Sequence, residues 1–276
     1  MTRSVEEKAA LAQQNQQSAL FRDYYRRGPD YRHGDTVDFA DIKDTFGFAS
    51  LTVGAWVSQQ EKVRAAELVF DALADLAFLL NLPPKALGLR GSLSLAFGSG
   101  GQRNVQAHYA PARRCLALAK NAGAGALAHE WWHAFDHYMA DKLFVTPAQG
   151  VAFASSRWLA DDEQREHPLN QYLAQVFASA FLSYQGKQAH DYVRRSVALD
   201  RRLAQRYFSQ PTEMMARAFE AWIQANGLLK NSYLVAGTKQ SELAKAGAYP
   251  EAKHLAEIGQ ALQRYFSLLA HLLAKG

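Results

Sequence analysis

His129, Glu130 and His133 stand together in the run Gly125-Ala126-Leu127-Ala128-His129-Glu130-Trp131-Trp132-His133-Ala134-Phe135-Asp136-His137-Tyr138. At about 100° per residue, helical positions four apart differ by about 40°, so the two imidazoles share a face and Glu130 points to its side. This HExxH spacing suits one Zn²⁺ ion on His129 and His133, with Glu130 as general base toward a bound water. A tetrahedral ion so held still lacks one protein ligand besides that water. Cys115 is the only cysteine, so the missing ligand must be His, Asp or Glu.

A third histidine in the HExxHxxGxxH pattern would fall on position 139, which is Met139. His137 lies two turns beyond His129, about 12 Å along the axis, too far to join the same coordination sphere. A carboxylate from a second helix is the alternative, and Ser209-Gln210-Pro211-Thr212-Glu213-Met214-Met215-Ala216-Arg217-Ala218-Phe219-Glu220-Ala221-Trp222 offers one. Pro211 and Thr212 start a helix, and Glu213 falls in its first turn, where the helix N-terminus favours a carboxylate. Ala216, Ala218, Phe219 and Trp222 give that helix a face that can be buried. Glu220 lies on nearly the same face about 10 Å further along, so it ranks second to Glu213 as ligand. Asp136 is a candidate acceptor for a ligand imidazole. His108, Tyr233 and Tyr249 are candidate donors to a tetrahedral intermediate.

The elements that must position these groups form an α+β chain, mainly helical. Val5 to Arg27 reads as a helix closed by Gly28-Pro29, with a polar connector to Asp35, which divides the chain into 1–35 and a single catalytic domain over 36–276. Phe46-Gly47-Phe48 and Leu51 to Trp56 have strand composition. Ser58 with Glu61 forms a capping box for a strongly apolar helix ending at Pro83-Pro84. Asp71 and Asp75 on that helix read as a polar stripe rather than as ligands. Leu93 to Phe97, Val105 to Tyr109 and Cys115 to Ala119 predict a small antiparallel sheet beside the HExxH helix, with Gly98-Ser99-Gly100-Gly101 and Ala110-Pro111-Ala112-Arg113-Arg114 as its turns. Asp141 to Glu166 reads as an irregular loop over the site. The rest is helical, from about Pro168 to Tyr184, Ala189 to Phe208, Thr212 to Gln224 and Pro250 to Leu273.

The 276 residues, 49% of them hydrophobic, suffice for a packed core. The polar N-terminus lacks the pattern of a secretory signal, and no apolar run reaches the roughly 18 to 20 residues that span a bilayer. A cytosolic protein without membrane partners is expected. The net charge of +5 comes from scattered arginine pairs, which supports nucleic-acid binding only weakly.

Several blocks resemble one family. Ala107-His108-Tyr109, the run Gly123 to Asp136 and Pro211 to Ala221 are similar to the large polyvalent protein-associated domain, type 1. So are Phe46-Gly47-Phe48, Asp71 to Leu76, Leu95-Ala96-Phe97-Gly98, Tyr233-Leu234-Val235 and Tyr249-Pro250. That family is a zincin-like metallopeptidase domain of phages and conjugative elements, and the blocks extend from about Phe39 to the C-terminus. The resemblance implies a gluzincin, whose third zinc ligand is a downstream glutamate, and it favours Glu213 for that role. It also implies a zinc-dependent peptidase with a peptide or protein substrate. The alternative is a non-catalytic zinc-bearing accessory protein that binds DNA or a protein partner; retention of Glu130 beside the histidines argues for catalysis.

Overall fold

The computed structural model describes residues 19–99, 107–120, 125–183, 186 and 188–275. It is an α+β fold, mainly helical, with two small sheets. The expected N-terminal helix lies largely outside the described residues, and its end is not helical. Ala19–Phe21 is a 3-10 turn, and β1 (Arg26–Arg27) is a strand. Asp75, wholly buried, receives Arg26 through two nitrogens at 2.7 and 2.8 Å and Asn231 Nδ2 at 2.8 Å. Arg32 binds Asp71 at 3.0 Å in the same way. The two aspartates are therefore ion-pair anchors for the N-terminal segment, not ligands.

A helix, α1 (Phe39–Phe46), precedes β2 (Leu51–Val53) where strand composition alone was expected. Its polar start hides the signal: Asp38 caps it in a reciprocal box with Asp41, and Gly47 ends it at φ +69°. The apolar helix α2 (Gln59–Leu80) begins with the Ser58–Glu61 capping box.

The sheet beside the HExxH helix departs from the antiparallel expectation. β3 (Ser94–Phe97), β4 (Ala107–Ala110) and β5 (Cys115–Leu118) join β2 in the order β2-β3-β5-β4. β2, β3 and β5 run parallel, and only β4 is antiparallel, on β5. Both edges of β3 are occupied by parallel neighbours, so its apolar side chains are buried and it cannot form a hairpin with β4. The hairpin is β4–β5, turning at Pro111–Arg113 within the expected turn of Ala110 to Arg114. Gly100 and Gly101 of the expected turn lie outside the described residues. β4 is left as an edge strand.

The motif helix α3 (Leu127–Leu143) follows. Gly125, at φ +102°, receives the main chain from the other side: its N–H donates to Tyr233 O at 2.9 Å and its carbonyl accepts from Ala236 N at 3.1 Å. A Cβ there would stand 2.7 Å from Ala236 Cβ, so the entry to α3 requires glycine. The stretch 141–166 is not irregular throughout, and its Phe153 ring centre stands 6.3 Å from that of His133. It contains α4 (Ala154–Leu159), and the buried Arg157 ties it to Ala140 O at 2.8 Å and Thr146 O at 2.9 Å.

The C-terminal half is helical as expected: α5 (Pro168–Phe181), α6 (Asp191–Leu203), α7 (Pro211–Ala225), the short strand β6 (Lys230–Asn231), α8 (Glu242–Lys245) and α9 (Ala252–Leu273). β6 pairs with β1. Trp132 lies between Phe135 and Phe219, at centroid distances of 5.3 and 4.8 Å, and clamps α3 against α7. Among the described residues no helix is long and apolar enough to cross a membrane.

Asp200 sets where α7 begins. Nearly buried, it accepts from the N–H groups of Tyr207, Phe208 and Ser209 at 3.0, 2.7 and 2.8 Å and from Ser209 Oγ at 2.5 Å, which turns the chain back before Pro211. Burial alone would raise its pKa; the four donors outweigh it and hold the carboxyl down at about 2. Asp200→Asn should therefore lower the unfolding free energy at neutral pH by about 1–3 kcal/mol in urea denaturation. The native carboxyl titrates below the unfolded value of about 3.9, so its contribution is complete above about pH 4 and fades toward pH 2. The variant should lose that part of the acid sensitivity; an unchanged acid profile would contradict the assignment.

Candidate metal centre

The site forms where α3 crosses the start of α7. His129 Nε2 and His133 Nε2 face each other at 3.1 Å. Glu213, from the first turn of α7, brings Oε2 to 3.3 Å from His129 Nε2 and Oε1 to 3.3 Å from His133 Nε2. The three side chains are 11, 11 and 14% exposed, so the cluster sits at the bottom of a cleft.

This donor set fits a metal ion. Atoms bound about 2.0–2.1 Å from a tetrahedral ion stand roughly 3.3 Å from one another, close to the three separations found. Glu213 Oε2 is buried and has no hydrogen-bond donor. The carboxylates of Glu130, Glu213 and Glu220 converge on two imidazoles, an excess of buried negative charge that a divalent cation would offset. Without one, burial would lower the pKa of His129, but Glu220 and Glu213 outweigh it and push the imidazole up to about 10. Glu213 is held far below the usual carboxylate range, because the two imidazoles overcome its burial.

Glu220 is not a third ligand. Its Oε1 lies 3.1 Å from His129 Nδ1, on the far side of the ring from Glu213. Nδ1–H donating to Glu220 fixes the tautomer that leaves Nε2 free to bind a metal. Behind it, the Tyr249 phenol is raised in pKa by burial and by the neighbouring Glu220, to which it hydrogen-bonds. Tyr249 therefore neighbours Glu220.

Glu130 stands between the ligands and the sheet. Its Oε2 accepts from Tyr109 N at 2.7 Å, so the amide of this edge residue points away from β5 and toward the cleft. Burial pushes the Glu130 carboxyl up despite the nearby imidazoles.

Three further expectations are corrected. Asp136 does not receive a ligand imidazole: Ser155 N and Oγ take its two oxygens at 2.8 and 2.5 Å, which fastens α4 to α3. The Tyr109 hydroxyl meets His137 Nδ1 at 2.7 Å, and strand alternation turns His108 to the opposite face of the sheet. Tyr233 is buried edge-to-face on Tyr24 at 5.2 Å and serves α3 through its carbonyl only. His137, bonded to Tyr109, stays out of the metal cluster, as its distance along the helix requires.

Tyr207 is the residue that the sequence reading missed. Tyr207 is 41% exposed, and partial burial and the nearby Glu213 carboxylate, with a smaller contribution from Glu130, raise its phenol's pKa. Its place six residues ahead of Glu213, in the turn that α7 starts from, is the signal that could have found it.

Glu220→Gln should weaken zinc binding about 10- to 100-fold in chelator competition, with the protein still folded. Glu213→Ala should weaken it further, and unchanged affinity in that variant would remove Glu213 from the site.

Residues 199–273 match the family model of large polyvalent protein-associated domain 1. The match spans Tyr207, Glu213, Glu220 and Tyr249 and leaves His129, Glu130 and His133 outside. Comparison with curated proteins and with solved structures finds no match. Residues 199–273 are thus similar to large polyvalent protein-associated domain 1, the family that the sequence blocks resemble.

Proposed function

We propose that the protein is a zinc-dependent peptidase of zincin-like fold and gluzincin type, acting in the cytosol on a peptide or protein substrate. The observation that carries this reading is the convergence of His129, His133 and Glu213 within 3.3 Å of one another, with Glu130 beside them and hydrogen-bonded to an edge strand.

His129, His133 and Glu213 would hold Zn²⁺, which when bound acts as a Lewis acid and lowers the pKa of its water to near 7. Glu220 keeps the His129 ring oriented with Nε2 toward the ligand cluster. Glu130 has a carboxyl of raised pKa in the half-buried cleft, suited to accept a proton from water and pass it to the leaving amine. The Tyr109 amide holds one oxygen of that carboxylate at 2.7 Å, which limits its rotation. Tyr207, still protonated at neutral pH, can donate to the oxygen that gains charge as the carbonyl is attacked. The free edge of β4 can align an extended substrate by strand addition.

A purely binding role has no use for a base of raised pKa beside the ligands, and nothing in the site geometry favours it. Digestion of a random-peptide library tests the proposal. Glu130→Gln should retain zinc and lose at least about 10²-fold in kcat. Tyr207→Phe should lower kcat about 10²-fold with little change in KM. Equal cleavage by wild type and Glu130→Gln would overturn the assignment.

A further inference from the structure

The face of α3 opposite the histidines carries a second concave feature, a groove of about 840 Å³. Trp131, Phe135 and Tyr265 form its floor and are only 1, 3 and 1% exposed, so it is a crevice and not a flat apolar patch. Its rim is basic. Lys85, Arg90, Lys142 and Arg165 are all exposed there, and Glu166 is the only acidic residue lining it among the described residues. Arg194 and Arg195 on α6 pair with Asp191 and Glu251, but none of the four rim cations has a carboxylate partner among the described residues. Arg165 is fixed at the rim by its Nε–H, which donates to Phe144 O at 2.5 Å, and Lys142 stands 5.4 Å from the Tyr138 ring centre.

Charge complementarity therefore calls for an occupant that is apolar on the side facing Trp131 and Phe135 and anionic at its margins. The four cations come from three separate segments, Lys85 with Arg90, then Lys142, then Arg165. The groove is also open along its top, whereas small-molecule sites usually enclose most of the ligand surface. A second cavity shares Leu82 and Pro83 with it and continues toward the exposed Phe78 and Leu228, which lengthens the apolar footprint. A helix laid in a groove meets all these conditions, because it buries one stripe and keeps its flanks in water.

We propose that this groove docks an acidic amphipathic helix of a partner protein, its apolar side chains against Trp131 and Phe135 and its flanking Asp or Glu residues paired with Lys85, Arg90, Lys142 and Arg165. The site is separate from the metal cluster and stands whether or not the protein is a peptidase.

Fluorescence anisotropy on the full chain tests this. The probes are a labelled helix of about four turns with Leu and Trp on one face and Glu on both flanks, and the same peptide with Lys for Glu. The Glu peptide should bind at least about tenfold tighter than the Lys peptide, and at least about tenfold more weakly to the R90E/K142E variant than to wild type. Both substituted residues are exposed, and circular dichroism and zinc content should be unchanged. Absence of binding, equal binding of the two peptides, or undiminished binding to the variant would overturn the proposal, the last by placing the peptide elsewhere, such as the metal cleft. Displacement of the Glu peptide by decanoate at comparable concentration would overturn it in favour of a small anionic amphiphile.

Discussion

The contact between α3 and α7, made by Trp132 against Phe219, governs everything at the site. The rings lie 4.8 Å apart and both residues are fully buried. Neither is a ligand, yet their packing fixes how far along and around its axis each helix presents its polar residues. Six residues before Phe219 and one residue after it, α7 carries Glu213 and Glu220 to opposite nitrogens of a single imidazole. Loss of a buried aromatic of this kind costs about 3–5 kcal/mol, so the same contact that positions the ligands also supplies a large share of a typical domain's net stability.

Around that contact, polar groups settle the remaining freedom. Gly125 admits the chain at Tyr233 and Ala236 against the start of α3, and a side chain there would push the HExxH helix outward. Asp200 gathers three amides ahead of Pro211 and so determines which residue of α7 falls in its first turn. Gly259 lets α9 pass close to α7, since a Cβ there would stand 2.7 Å from Trp222 Cδ1. The carboxylates collected at the centre would repel one another in a buried cleft without cations; the arrangement makes physical sense as a receptor for one.

Much of this was legible in the sequence because it depends on local rules. The capping box at Ser58, the helix start at Pro211 and the shared face of His129 and His133 follow from spacing, and each lies where that spacing puts it. What could not be read was the choice between partners that are alike locally. Helix geometry places Glu213 and Glu220 on nearly one face, and only the crossing of α7 over α3 sends one to Nε2 and the other to Nδ1. Asp136 has the right spacing to support a ligand imidazole, but Ser155, from a helix hidden inside an apparently irregular stretch, claims both its oxygens. The apolar run of β3 looks the same whether its neighbours are parallel or antiparallel, so the mixed sheet order was out of reach. Tyr207 lies in a turn, where no periodicity marks the direction of a side chain.

Two imidazoles and one carboxylate, with no sulfur, are the proposed zinc ligands. X-ray absorption at the zinc edge of the purified full chain tests this assignment most directly. The spectrum should show a shell of nitrogen and oxygen atoms at about 2.0–2.1 Å with outer-shell scattering from two imidazole rings. Failure to copurify with or take up zinc, a sulfur atom at about 2.3 Å, or a shell without imidazole scattering would contradict it.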